Sequence, residues 1–124
     1  MTTWTRQELD SLGAAEELEI TTARRDGSLR RTPIWVVRLG DDLYVRSYRG
    51  ADGAWYRRTT DQAGARINAA GIERDVAVDH APEATLPAVD DAYRSKYARY
   101  ADDYLPPMLA APAVDTTLRL RPAD

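Results

Sequence analysis

An Asp26-Gly27 pair set between two runs of alternating apolar residues constrains the fold of this chain more than any other feature. Asp-Gly favours a two-residue hairpin turn, because glycine accepts positive φ without steric cost. Before it, Leu18, Ile20 and Thr22 alternate along a strand over 18–24. After it, a longer strand is predicted over 29–39, with Trp35, Val37 and Leu39 opposite Ile34 and Val36. Apolar residues on both sides imply burial on both faces. Gly40-Asp41-Asp42 then turns the chain into a strand over 43–48. Strands joined by turns this short pair antiparallel.

The rest of the chain extends that pattern. Segments 64–70 and 72–80, divided by Gly71, read as two more strands, and 116–121 as a final edge-type strand. A short N-terminal helix is expected over 5–12, with a Thr5/Glu8 capping box, a Trp4–Leu9 staple and Gly13 as its stop. A second helix is expected over 55–62. A third, over 86–104, aligns Leu86, Val89, Tyr93, Tyr97, Tyr100 and Tyr104 on one stripe before Pro106-Pro107 ends it. The expected architecture is mainly β (α+β): a six-stranded antiparallel barrel with flanking helices, in a single domain over 1–124 whose barrel occupies 18–80.

Composition narrows the chemistry. The net charge of -3 argues against a general nucleic-acid binder, which needs a basic surface. No cysteine is present, which excludes thiolate catalysis and Cys-based metal sites. His80 is the one histidine, and a lone histidine makes no metal site. No apolar run is long enough to span a membrane, and the N-terminus has no secretory pattern, so a cytoplasmic location is expected. No side-chain triad is legible either, so no catalytic residue is assigned and any redox chemistry would fall to a cofactor.

The segment 44–58 carries most of the functional signal. A strand runs into a loop containing Gly50 and Gly53, and Trp55-Tyr56-Arg57-Arg58 opens a helix. Glycines let a ligand approach the backbone, and a helix start offers unpaired N–H groups and partial positive charge. With Arg49, Arg57 and Arg58 beside it, this loop suits a planar, phosphate-bearing anion. A second cluster, Arg24, Arg25, Arg30 and Arg31, flanks the Asp26-Gly27 turn. It reads either as a charged hairpin protecting strand ends or as a clamp for an acidic ligand. Trp35 is assigned to the core rather than to a stacking platform.

The order of these motifs resembles the flavin split-barrel superfamily, as in the FMN-binding, PNP-oxidase-like barrels. The deazaflavin-dependent nitroreductase branch is the part most similar. The matching stretches are Thr21-Thr22-Ala23-Arg24-Arg25-Asp26-Gly27 through Thr32-Pro33, and Ser47-Tyr48-Arg49-Gly50 through Ala54-Trp55-Tyr56. More closely, the chain resembles the small bacterial proteins of the DUF2255 family. The resemblance implies a homodimer and a coenzyme site. Thr32, Pro33 and Ile34 would lie by the ring, and Ser47, Arg49, Gly50, Trp55 and Tyr56 around the phosphate end; Arg57 and Arg58, which stand where that branch has a residue and then Asn, join the phosphate end on their charge alone. Tyr97 and Tyr100 are the candidates for facing a small organic substrate. Ala23 stands where that branch has glycine, and no His-Pro precedes Trp55. The implied cofactor is the deazaflavin coenzyme F-420, with FMN as the alternative and no metal. A hydride-transferring oxidoreductase leads; a flavin carrier without turnover and a cofactor-free interaction domain stand beside it.

Overall fold

The computed structural model describes residues 3–123. Its strands are β1 (Leu18–Ala23), β2 (Leu29–Ile34), β3 (Val37–Leu39), β4 (Asp42–Val45), β5 (Gly64–Ala69), β6 (Ile72–His80) and β7 (Leu118–Pro122). All seven join one antiparallel sheet in the order β2-β1-β5-β6-β7-β4-β3. Consecutive strands β2 and β3 therefore sit at opposite edges, and the sheet curls into a half-barrel to bring them together. The mixed α+β class expected from sequence is the one observed, but with seven strands in place of six.

The extra strand comes from a break within 29–39. Trp35 and Val36 leave the ladder, and Val36 finds its partners in a distant helix: its N–H donates to Tyr97 Oη at 3.1 Å, and its carbonyl accepts from Lys96 Nζ at 2.5 Å. Side chains thus replace the strand partners that buried backbone groups require. Pro33, which has no N–H to give, lies on the edge strand β2, where the loss is tolerated.

Alternation along the strands fills two hydrophobic clusters. Leu43 and Val45 of β4 face the barrel interior with Leu18, Ile20, Ile67, Leu118 and Leu120. Between them, Tyr44 faces outward into a cluster with Val37, Val89, Tyr93, Tyr97, Leu105 and Met108. Helix α1 (Arg6–Ala14) closes the interior with Leu9 and Leu12, and its Thr5/Glu8 capping box is formed. It runs past the expected stop at Gly13, because glycine there gives room for β3: a Cβ would stand 3.0 Å from that of Arg38.

Other details depart from expectation for local reasons. The Asp26-Gly27 hairpin has a three-residue loop, closed by Arg24 N–H to Ser28 O at 2.8 Å, with Gly27 at φ +86°. Asp26 accepts from Ser28 N–H and Oγ, which favours this wider turn. Strand β7 is central, between β6 and β4, because Asp79 on β6 receives the charge of Arg121 and Arg119. The expected helix over 86–104 ends early: α3 spans Leu86–Lys96, and a 3-10 turn follows over Ala98–Tyr100. Pro106-Pro107 opens the next helix, α4 (Leu105–Leu109), where missing N–H groups cost nothing. Helices α2 (Ala54–Gln62) and α5 (Ala111–Val114) complete the structure.

Candidate functional site

The sheet's curl leaves a cavity of about 720 Å³ between the end of β2, the loop after β4, the start of α2, and the segment running from α3 into α4. Its two walls are built differently.

The loop wall begins at Ser47, whose N–H donates to Thr116 Oγ1 at 2.8 Å. Gly50 N–H returns to Ser47 O at 2.9 Å and Gly53 N–H to Gly50 O at 3.1 Å, which folds 47–53 into two stacked turns. Gly50 sits at φ +67°, against Pro112. Gly53 is the N-cap of α2 and has no side chain with which to cap it, so the first-turn N–H groups have no side-chain partner from that position. A Cβ on Gly53 would fall 2.3 Å from Ser47 Oγ. That hydroxyl is buried, finds no hydrogen-bond partner among the described residues and lies against the start of α2. Arg30, Arg49 and Arg58 line the same cavity. Arg58 Nε donates to Thr22 Oγ1 at 2.7 Å. Among the described residues none of these three guanidiniums has a carboxylate within salt-bridge distance. Asp52 and Glu17 supply the negative charges of the lining.

The opposite wall is aromatic: Trp35, Tyr100 and Tyr104 line it with Met108. Trp35 stacks on Tyr97 at 3.9 Å with an interplanar angle of 4°. Tyr97 Oη accepts from Val36 N–H and donates to Glu16 O at 2.7 Å. Burial, above all, pushes that phenol well above its usual range. Lys96, whose amine also donates to Ala15 O at 2.6 Å, is lowered to about 8 by burial.

Arg46 also lines the cavity and was not singled out by sequence reasoning. Its side chain is fully buried and pairs with Asp90 of α3 at 2.6 Å. Nε donates to Thr117 Oγ1 at 2.8 Å and Nη1 to Met108 O at 3.0 Å, while the guanidinium lies over Tyr93 at 5.0 Å. One cation thus ties α3, α4 and the residue just before β7 to the strand that leads into the glycine loop. The available signal was parity: Arg46 continues the face of Tyr44, and an aromatic residue on that face marks it as covered.

Of the residues expected around a coenzyme, Thr32, Pro33, Ile34, Ser47, Arg49, Trp55 and Arg58 line the cavity. Gly50, Tyr56 and Arg57 do not. Gly50 is buried under Pro112, Arg57 is exposed on α2, and Tyr56 turns away to hydrogen-bond His80 Nε2 at 2.8 Å. Tyr100 lines the cavity, but Tyr97 is only 1% exposed and lies behind Trp35. Arg30 reaches the cavity from the hairpin cluster, while Arg24, Arg25 and Arg31 remain exposed outside it. Among the described residues no three His, Asp or Glu side chains gather as metal ligands would, and no helix is long and apolar enough to cross a membrane.

A family model described as "Uncharacterized protein conserved in bacteria (DUF2255)" matches residues 8–120. No curated protein matches in sequence. Among solved structures, an "F420 Reductase" superposes with a TM-score of 0.61 at 17% identity, covering 93% of this chain and 92% of that one. An "F420-H2 Dependent Reductase (FDR-A)" gives 0.61 at 14% identity over 86% and 93% of the two chains. A FAD-binding protein from Mesorhizobium loti gives 0.56 at 14% identity over 97% and 89%. At these identities the likeness establishes a shared fold.

Proposed function

We propose, for a chain that belongs to the DUF2255 family of bacterial proteins, that the cavity binds a flavin-type coenzyme and that the protein is an oxidoreductase. The observation that supports this best is the junction of loop and helix. The buried, unpartnered Ser47 Oγ, the uncapped start of α2 and the carboxylate-free Arg49 and Arg58 meet in one cavity. A phosphate satisfies all of these groups at once. Gly53 fits the same reading, since any side chain there would displace the Ser47 hydroxyl. The volume of about 720 Å³ suits a coenzyme ring and a small substrate together.

The deazaflavin coenzyme F-420 is our first choice and FMN the second. The names of two structural neighbours specify F420, and that of a third FAD. When bound, such a coenzyme supplies hydride chemistry to an electron-poor organic molecule. The chain's part is to hold and orient it. Arg49, Arg58 and Ser47 would hold the phosphate. Thr32, Pro33 and Ile34 would lie along the ring, on an edge strand whose outward N–H groups remain available to a ligand. Tyr100 and Tyr104 would exclude water from the far side. We include a homodimer in the proposal, on the family resemblance, to be checked by light scattering on a sizing column.

Titration of the purified protein with F-420 and with FMN, followed by absorbance and fluorescence, tests the reading. Saturable binding of one of them, weakened in Arg49→Ala, is the expected result. Binding of neither at high micromolar concentration would leave the interaction-domain reading, and binding without turnover of nitroaromatic or quinone acceptors the carrier reading.

A further inference from the structure

The aromatic wall contains a feature that the coenzyme reading does not use. Trp35 lines the cavity and is only half-buried, although Tyr97 is stacked squarely on one of its faces. The ring centroid of Tyr100 lies 5.2 Å from that of Trp35 and 6.5 Å from that of Tyr97. With 3.9 Å between Trp35 and Tyr97, these separations form a triangle with a near right angle at Trp35. Because Tyr97 is stacked over one indole face, the right angle puts Tyr100 towards the edge of the indole and not across from Tyr97. One face and one edge of Trp35 are therefore covered by these tyrosines, and the second face is covered by neither.

We propose that this second face of Trp35 is a stacking platform for a flat, electron-poor aromatic ring of the substrate. The face of an indole carries negative quadrupole density, which attracts either a cation or an electron-poor ring. The lining disfavours the cation, since the guanidiniums of Arg30, Arg46, Arg49 and Arg58 outnumber the carboxylates of Glu17 and Asp52 around the same cavity. The platform is also rigid. Tyr97 backs the indole, and its hydroxyl bonds the backbone of Val36 and Glu16, so little side-chain freedom is lost when a ring docks. The inference rests on the oxidoreductase reading only in naming the stacked ring as substrate.

The probe is 4-nitrobenzoate, with cyclohexanecarboxylate as a saturated control of the same charge. The wild type should bind the nitroaromatic about tenfold or more tighter than the control, Trp35→Leu should lose most of that margin, and Trp35→Phe should keep it within about threefold. Affinity for F-420 and FMN in Trp35→Leu should stay within about twofold of wild type. In the wild type, the aryl protons of 4-nitrobenzoate should shift upfield through the indole ring current, a readout that needs no variant. Equal affinity for the two probes, or no upfield shift, overturns the platform. A loss of coenzyme affinity parallel to that of the probe also overturns it, by giving the indole to the coenzyme ring. If neither coenzyme binds while 4-nitrobenzoate still stacks, the coenzyme reading fails and the platform stands.

Discussion

The two walls of the cavity are held by different kinds of bond. The loop wall is made mainly by its own neighbours: Ser47, Gly50 and Gly53 bond to one another within seven residues, and one long tie, from Ser47 N–H to Thr116, anchors them. The aromatic wall is made at a distance. Tyr97 reaches 61 residues back to Val36, Lys96 reaches 81 back to Ala15, and Arg46 reaches 71 forward to Thr117. Local turns depend on glycines at fixed positions, whereas long-range ties depend on buried polar side chains whose loss leaves partners stranded. Damage to the aromatic wall should therefore lower stability first, and damage to the loop wall ligand binding first.

The largest expected effect is that of Arg46→Ala. It leaves Asp90 without its cation and Tyr93 uncovered, and should cost about 3 kcal/mol, near the lower end of the range for breaking a buried pair because Asp90 retains some contact with water. Urea unfolding measures it; a loss under 1 kcal/mol would show the aromatic wall to be independent of that tie. Arg49→Ala should do the reverse, weakening coenzyme binding by about 1.5–3 kcal/mol. Its midpoint of unfolding should hardly move, as expected for an exposed residue. Gly53→Ala should destabilise by about 1–3 kcal/mol through the clash with Ser47 Oγ, and adding Ser47→Ala should restore much of that loss. No recovery in the double variant would place the strain somewhere else in the turn.

The smallest effect is a pH dependence in the aromatic wall. Burial lowers Lys96 to about 8 from an ordinary 10.5, so the folded chain sheds this proton before the unfolded chain does. Below about pH 8 the amine is charged in both states and its burial penalty is present in full. Between about 8 and 10.5 the unfolded chain holds more protons, and stability relative to Lys96→Met should rise with pH, by roughly 1 kcal/mol once the amine's partial exposure is discounted. As the chain's single lysine, it can be followed directly by NMR after reductive methylation. Titration near 10.5 would show that the two carbonyl bonds outweigh desolvation.

The same contrast explains what could be read in advance. Thr5 with Glu8, Asp26-Gly27 and the Gly50–Gly53 loop are short-range signals, and each marks a structural feature close to its own position. The split at Trp35 and Val36 left no local trace, because Ile34 to Val37 is apolar without interruption and the break depends on Tyr97 and Lys96. The tyrosine stripe had the same weakness. Helical spacing placed Tyr97 and Tyr100 together, yet α3 ends at Lys96, before both, and only Tyr100 lines the cavity. Arg46 was hidden among sixteen arginines, and only its sharing a face with Tyr44 marked it as buried.

Two residues, Trp35 and Val36, join the opposite margins of the sheet. Their number acts as a fixed-length strap across the seam. Adding or removing one residue at that point would widen or narrow the mouth while leaving every rung of the ladder in register. A lineage of such proteins could therefore change the size of guest it admits by indels at a single joint, without rebuilding the scaffold that holds the coenzyme.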